Sequence, residues 1–196
     1  MFANLRAAVM MVVLFTLVFG LGYPLAMTGI AGIAFPHQAG GSLVKDVSGK
    51  VIGSELIAQG FSKPEYLHPR GSAAGNGYDP LNSGGTNLGP LDQKLIDRVK
   101  GDAAALRKEN PGAPIPADAV TYSASGLDPD ISPEYARFQV PRVAKARGAT
   151  QSEVLAAISG ATQEPFLGFI GQPRVNVLAV NRALDAHDPV LHPRAG

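Results

Sequence analysis

The chain has 196 residues, with 17 Lys and Arg against 16 Asp and Glu, a formal net charge of +1 and no cysteine. That length supports one domain with a packed core, and the near-neutral charge excludes an electrostatically driven nucleic-acid partner. The missing cysteine excludes disulfides, thiolate metal centres and a cysteine nucleophile.

No charged residue occurs between Ala7 and Val44. The stretch AAVMMVVLFTLVFGLG is almost wholly apolar and runs on through YPLAMTGIAGIAF. A membrane-spanning helix needs about 20 such residues at 1.5 Å each, and this run supplies more. Arg6 precedes it, and Lys45 and Asp46 are the first charges after it. The positive-inside rule then keeps the N-terminus in the cytoplasm and places the remainder outside. Tyr23 suits the interface, and Pro24 is expected to kink or end the helix. Gly20 and Gly22, with Tyr23 and Pro24, form the expected packing face toward other membrane helices, since small residues let helices approach. A cleaved signal peptide is the competing reading, with Gly32-Ile33-Ala34 as a small-x-small site. The run exceeds the h-region of about 7–15 residues that a signal peptide carries. Both readings export the rest of the chain.

LVKDVSGKVIG (43–53) reads as a hairpin around Ser48-Gly49. Ser54 to Phe61 continues as a short helix or loop. From Ser62 to Pro90 there is almost no apolar periodicity, which predicts a long loop of functional weight. Tyr66, Arg70 and Tyr78 give it contact-forming side chains. Together with Asn87 and Arg142 they are the expected partner contacts. A helix is predicted with Pro90 at its first position, Leu91, Leu95, Val99, Ala103 and Leu106 on one stripe, and Asn110-Pro111-Gly112 at its end. Ala119 to Ala124 reads as a strand. Ser132-Pro133-Glu134 opens a basic helix that Pro141 is expected to break or bend and Gly148 to stop. Thr150-x-x-Glu153 is a capping box for the next helix, which ends near Gly160. Phe166 to Val175 reads as an interrupted strand, and Asn176 caps a final helix through Asp185.

The fold class expected is therefore α+β: one N-terminal transmembrane helix followed by a small extracytoplasmic α+β domain. The boundaries are 1–34 for the anchor with its short cytoplasmic N-terminus, 35–188 for the extracytoplasmic domain and 189–196 for a flexible tail.

Chemical motifs are sparse. Ser83-Gly84-Gly85 ahead of a helix can form an anion-binding nest, but no Lys-Ser/Thr follows as a Walker A loop requires. A structural turn explains it as well. Ser123-Ala124-Ser125-Gly126 lacks the leading glycine of a nucleophile elbow, which leaves an exported, membrane-anchored serine hydrolase as the alternative function. Asp128, Asp130 and Ser132 alternate like the start of a calcium loop, without its glycine or its closing glutamate. No metal site and no catalytic residue are expected.

The order of motifs resembles the KdpC family, the C subunits of Kdp potassium-transporting ATPases. The resemblance is carried by YPL (23–25), GSELIAQGF (53–61), YLHPRGSAA (66–74) and YDPLNSGGTNLGP (78–90). It continues through VTYSASGLDPDISPEYA (120–136), QVPRVAKARG (139–148) and GQPRVNVLAVNRALD (171–185). Such a resemblance implies a non-catalytic, single-pass subunit of a bacterial inner-membrane complex. Its implied partners are a potassium-binding channel-like subunit, a P-type ATPase subunit, a small single-helix peptide and the lipid bilayer. The implied roles are to stabilise the assembly, modulate transport and raise the ATP affinity of the ATPase subunit as a catalytic chaperone. ATP is implied for the complex, with no cofactor assigned to this chain. Gln139, with Ser83, Gly84 and Gly85, is tied to nucleotide by the resemblance. The positive-inside reading puts those residues across the membrane from a cytoplasmic nucleotide site, so the two expectations compete. Asp128, Asp130 and Glu134 are candidates for concentrating potassium near the entrance.

Overall fold

The computed structural model describes residues 2–187. The chain forms two compact units that divide between Ser54 and Glu55. The tail expected at 189–196, with position 188 before it, lies outside the described residues.

The first unit opens with α1 (Phe2–Phe15), a π-helical stretch (Thr16–Gly22) and α2 (Tyr23–Ala34). Asn4–Ala34 is the one helix among the described residues that is long and apolar enough to cross a membrane, with 31 residues and none of its apolar window buried. At 1.5 Å per residue it is about 46 Å long, more than the roughly 30 Å of a bilayer's hydrocarbon core. Pro24 does not end it. The Tyr23 N–H donates to Val18 O, five residues back, so the wider π turn directly precedes the proline. A proline's ring crowds the preceding turn, and a π-bulge is one way a helix absorbs that. After α3 (Pro36–Ala39), β1 (Leu43–Lys45) and β2 (Val51–Ser54) pair antiparallel as the expected hairpin. Its turn is tied by the Asp46 carboxylate, which accepts from Ser48 N, Ser48 Oγ and Lys50 N.

In the second unit no helix or strand forms between Glu55 and Asp92: the missing periodicity predicts this for 62–90, and 55–61, where a short helix or a loop is expected, is a loop. Next come α4 (Gln93–Glu109), β3 (Asp130–Ile131), α5 (Pro133–Arg147) and α6 (Gln151–Gly160). The unit ends with β4 (Thr162–Gln163), β5 (Arg174–Asn176) and α7 (Val177–His187). The three strands make a small antiparallel sheet ordered β3-β5-β4, with Ile131 and Thr162 both facing Val175. Val143, Val154, Val175 and Val180 are fully enclosed at the centre, so α5, α6, β5 and α7 share one core.

The caps agree with the sequence. Ser132 Oγ accepts from Tyr135 N, Gly148 closes α5 in the left-handed region at φ 68°, and the Thr150/Glu153 box is complete. Asn176 Oδ1 accepts from Ala179 N.

Four expectations are corrected. Helix α4 starts at Gln93, not Pro90: the Asp92 carboxylate accepts from Lys94 N and so serves as the cap, while Leu91 stays exposed. Pro141 does not break α5, which runs through it. Eight of that helix's 15 residues are buried, and packing on this scale outweighs the roughly 3 kcal/mol that an interior proline costs. No strand forms at 119–124. Ala117–Ala119 is a 3₁₀ turn, and the carbonyls that a strand would offer are taken by arginines: Arg98 binds Val120 O, and Arg70 binds Thr121 O and Tyr122 O. Of the strand expected at 166–175, only Arg174 and Val175 lie in β5; Phe166 and Ile170 instead pair with each other across a tight turn.

Ile158 is 4% exposed and Leu81 is 90% exposed. Ile158→Ala is expected to destabilise the second unit by about 2–5 kcal/mol. Leu81→Ala is expected to change stability by about 0.5 kcal/mol or less. Urea unfolding of the detergent-solubilised chain, followed by tyrosine fluorescence, reads both.

Candidate functional site

The long loop has no secondary-structure partner, yet its backbone is not left unsatisfied. Over five consecutive residues, Pro64 to His68, side chains of α5 and α7 supply the hydrogen bonds. Arg142 Nη1 donates to Pro64 O (2.7 Å) and Tyr66 O (2.9 Å), and Arg147 Nε donates to Glu65 O (2.7 Å). Asn181 takes Leu67 at both ends: Oδ1 accepts from its N–H (2.8 Å) and Nδ2 donates to its carbonyl (3.0 Å). Gln139 treats His68 the same way, at 2.8 and 3.0 Å. Two side-chain amides on different helices thus imitate the edge of a neighbouring strand.

These supports are themselves fixed. Gln139 is 1% exposed, and its Oε1 also accepts from Arg142 Nη2. Arg142 Nε reaches Glu109 at the end of α4 (2.8 Å). Arg147 Nη2 meets Asp185 (2.7 Å), the Tyr66 hydroxyl donates to the same carboxylate (3.2 Å), and the Arg147 guanidinium lies over the Tyr66 ring. The basic helix is therefore not a plain solvated face, because Arg142 and Arg147 turn inward. His68 Nε2–H donates to Lys63 O (3.0 Å). Burial, and then the positive Arg142, hold its pKa below the usual histidine value.

Further along, Arg70 spans Thr121 O, Tyr122 O and Asp128 (2.9 Å). The Tyr78 hydroxyl donates to Arg70 O, and burial raises its pKa. The Tyr122 ring lies between Gly71 and the Arg98 guanidinium: a Cβ on Gly71 would sit 2.1 Å from the ring, and Arg98 stacks 3.9 Å from its centre.

The Gly-rich segment lies backbone against backbone on the Ser123–Gly126 turn. Gly84 N and Ser83 Oγ both donate to Ser125 O. A Cβ on Gly85 would come within 2.7 Å of Ala124 O, and one on Gly126 within 2.8 Å of Gly84 O. Close approach of two chains, which only glycine allows, accounts for these positions. Ser123 and Ser125 bond to each other and accept from Asp128 N and Leu127 N, and no histidine among the described residues is their partner.

Of the expected partner contacts, Tyr66, Arg70, Tyr78 and Arg142 are tied into this framework, and Asn87 is exposed in the left-handed region at φ 52°. Gly20, Gly22, Tyr23 and Pro24 are exposed on the N-terminal helix. Asp128 and Asp130, with Asp118, line an open depression of about 390 Å³ that also holds Arg70 and Arg174. Each candidate potassium-attracting acid faces an arginine: Asp128 with Arg70, Asp130 with Arg174, Glu134 with Arg137. Among the described residues no group of three His, Cys, Asp or Glu side chains is placed to hold a metal ion.

Asn181, Arg147 and Asp185 were not singled out from the sequence. The available signal was an asparagine on the apolar stripe of VLAVNRALD, where Val177, Val180 and Leu184 point to the core.

The family described as "K+-transporting ATPase, c chain" matches residues 5–186. The chain belongs to the KdpC family. The potassium-transporting ATPase KdpC subunit of Caulobacter sp. (strain K31) is 63% identical over 196 residues, all of both chains. That of Caulobacter vibrioides (strain NA1000 / CB15N) is 63% identical over 191 residues, 97% of each. The KdpC subunit of Beijerinckia indica is 56% identical over 195 residues, 98% of each. As a KdpC chain it is an accessory subunit of a potassium-transporting ATPase.

Gln139→Leu removes both partners of the His68 backbone. It is expected to destabilise the second unit by roughly 1–3 kcal/mol for each group left unsatisfied, with faster hydrogen exchange at the His68 amide than at Val154. Unfolding and exchange mass spectrometry measure the two effects.

The lowered His68 pKa also sets a pH dependence. The unfolded chain takes up a proton near 6.5 and the folded chain only at lower pH. Stability is therefore complete above that value and falls as pH drops through it. His68→Gln should flatten this part of the profile in unfolding experiments across pH 5–7.

Proposed function

We infer that this chain is the membrane-anchored, non-catalytic subunit of a potassium-importing P-type ATPase in a bacterial inner membrane. The observation that carries this reading is identity above 60% to KdpC subunits across the whole length of both chains. The N-terminus lies in the cytoplasm, residues 1–34 form the anchor, and the domain at 35–188 is extracytoplasmic, with 189–196 as its tail. Arg6 before the apolar helix and Lys45 beyond it support that orientation.

The partners are a channel-like potassium-binding subunit, the P-type ATPase subunit and a small single-helix peptide. The exposed face of Gly20, Gly22, Tyr23 and Pro24 packs against membrane helices of the assembly. Tyr66, Arg70, Tyr78 and Arg142 hold the 62–90 loop in shape, and the loop, with Asn87 at its surface, meets the partner. The subunit stabilises the complex and modulates transport. Any effect on the ATP affinity of the ATPase subunit passes through the assembled interface, because Gln139 is enclosed and bonded at both amide atoms, and the Gly84 N–H is spent on Ser125 O. This argues against direct nucleotide contact by these residues. Asp128, Asp130 and Glu134, each beside an arginine, offer potassium little net negative charge.

Deleting residues 2–34 should yield a soluble domain that no longer co-purifies with the other subunits or supports growth on limiting potassium. Growth equal to wild type would reject the anchoring role.

A further inference from the structure

The segment EPFLGFIGQPR (164–174) folds back on itself instead of forming a strand. At its tip Phe166 is 69% exposed, Leu167 69%, Phe169 76% and Ile170 52%. No charged residue stands between Glu164 and Arg174. Four of the five backbone N–H groups from Phe166 to Ile170 are bonded within the turn. Phe166 N donates to Ile170 O (3.0 Å), Ile170 N to Phe166 O (2.9 Å), Gly168 N to Pro165 O (2.9 Å) and Phe169 N to Phe166 O (3.3 Å). Leu167 and Gly168, at φ 54° and 80°, turn the chain sharply enough to make these bonds.

We propose that this tip is a second membrane contact, inserting Phe166, Leu167, Phe169 and Ile170 into the interfacial layer of the bilayer that the N-terminal helix spans. The proposal rests on the anchored reading above.

Two observations favour lipid over a protein partner. First, four of the five N–H groups from Phe166 to Ile170 are already bonded within the turn, so the tip strands few donors when it enters the less polar interfacial layer. A protein interface carries about one hydrogen bond per 100–200 Å² and a polar rim, whereas no side chain of the tip can donate or accept. Second, four side chains of this size and exposure present roughly 500 Å². That is less than the roughly 800 Å² per partner of a stable protein interface. It suffices for a contact that the covalent anchor already holds at high effective concentration. Without basic residues in the tip, the contact needs no anionic lipid.

The chain has no cysteine, so single-cysteine variants label without background. The full-length variants Phe166→Cys and Phe169→Cys carry a nitrobenzoxadiazole label in phosphatidylcholine vesicles containing nitroxide lipids. Ile30→Cys serves as the anchor control and Leu81→Cys as the water control. The expected result is blue-shifted emission at 166 and 169, quenched by the lipid nitroxide as at 30, while 81 stays sensitive to aqueous iodide. Iodide quenching at 166 and 169 with lipid quenching at 30 overturns the tip contact alone. No lipid quenching at 30 overturns the anchor and the tip contact together. Iodide quenching in vesicles that disappears only in the complete multisubunit complex, without lipid quenching, assigns the tip to a protein partner and overturns the proposal.

Discussion

The extramembranous unit depends on side chains standing in for a missing strand. A chain entering a folded domain without secondary structure brings backbone groups that water can no longer reach, and each unmatched one costs about 1–3 kcal/mol. Between Pro64 and His68 those groups are met by Arg142, Arg147, Asn181 and Gln139. Leu67, with no exposed surface, can then enter the core beside Val143 and Val180. Backbone matching and apolar burial are coupled, because the loop could not bring Leu67 inward with its own amide and carbonyl unpaired.

The same solution recurs at the other end of the loop. Arg70 and Arg98 take the carbonyls of residues 120–122, where a strand was expected, and the Tyr122 ring fills the space that a side chain at position 71 would need. Ser83 to Gly85 closes on Ser123 to Gly126 by direct backbone contact. The long loop and the 120–128 segment brace each other through Arg70, paired with Asp128, while Arg98 of α4, paired with Asp102, holds the same segment from the other side. Most of the polar side chains that attract attention in the sequence are thus engaged in holding a surface in shape. That suits a subunit whose partners are other chains better than one with chemistry of its own.

Local order was legible in the sequence, and the physics explains why. The apolar run from Ala7, the hairpin at Ser48-Gly49, the cap at Ser132, the box at Thr150 and Glu153 and the stop at Gly148 are all set by residues within a turn of one another. Where local preference and tertiary packing disagreed, packing prevailed, as at Pro141 inside the most buried helix. The strand readings at 119–124 and 166–175 went too far because residues suited to a strand state only that a segment can pair. They do not state whether a partner edge is available.

By itself the sequence determined an apolar N-terminal helix, the caps of α5, α6 and α7, the family and the absence of regular structure across residues 62–90. Only the tertiary structure decided what that loop binds. The pairs that hold it, Leu67 with Asn181 and His68 with Gln139, lie 114 and 71 residues apart. An amide on an apolar helix face looks the same in sequence whether it meets water, a ligand or a distant backbone. Packing of α5 and α7 into one core brings Gln139 and Asn181 side by side, and their spacing matches consecutive residues of an extended chain.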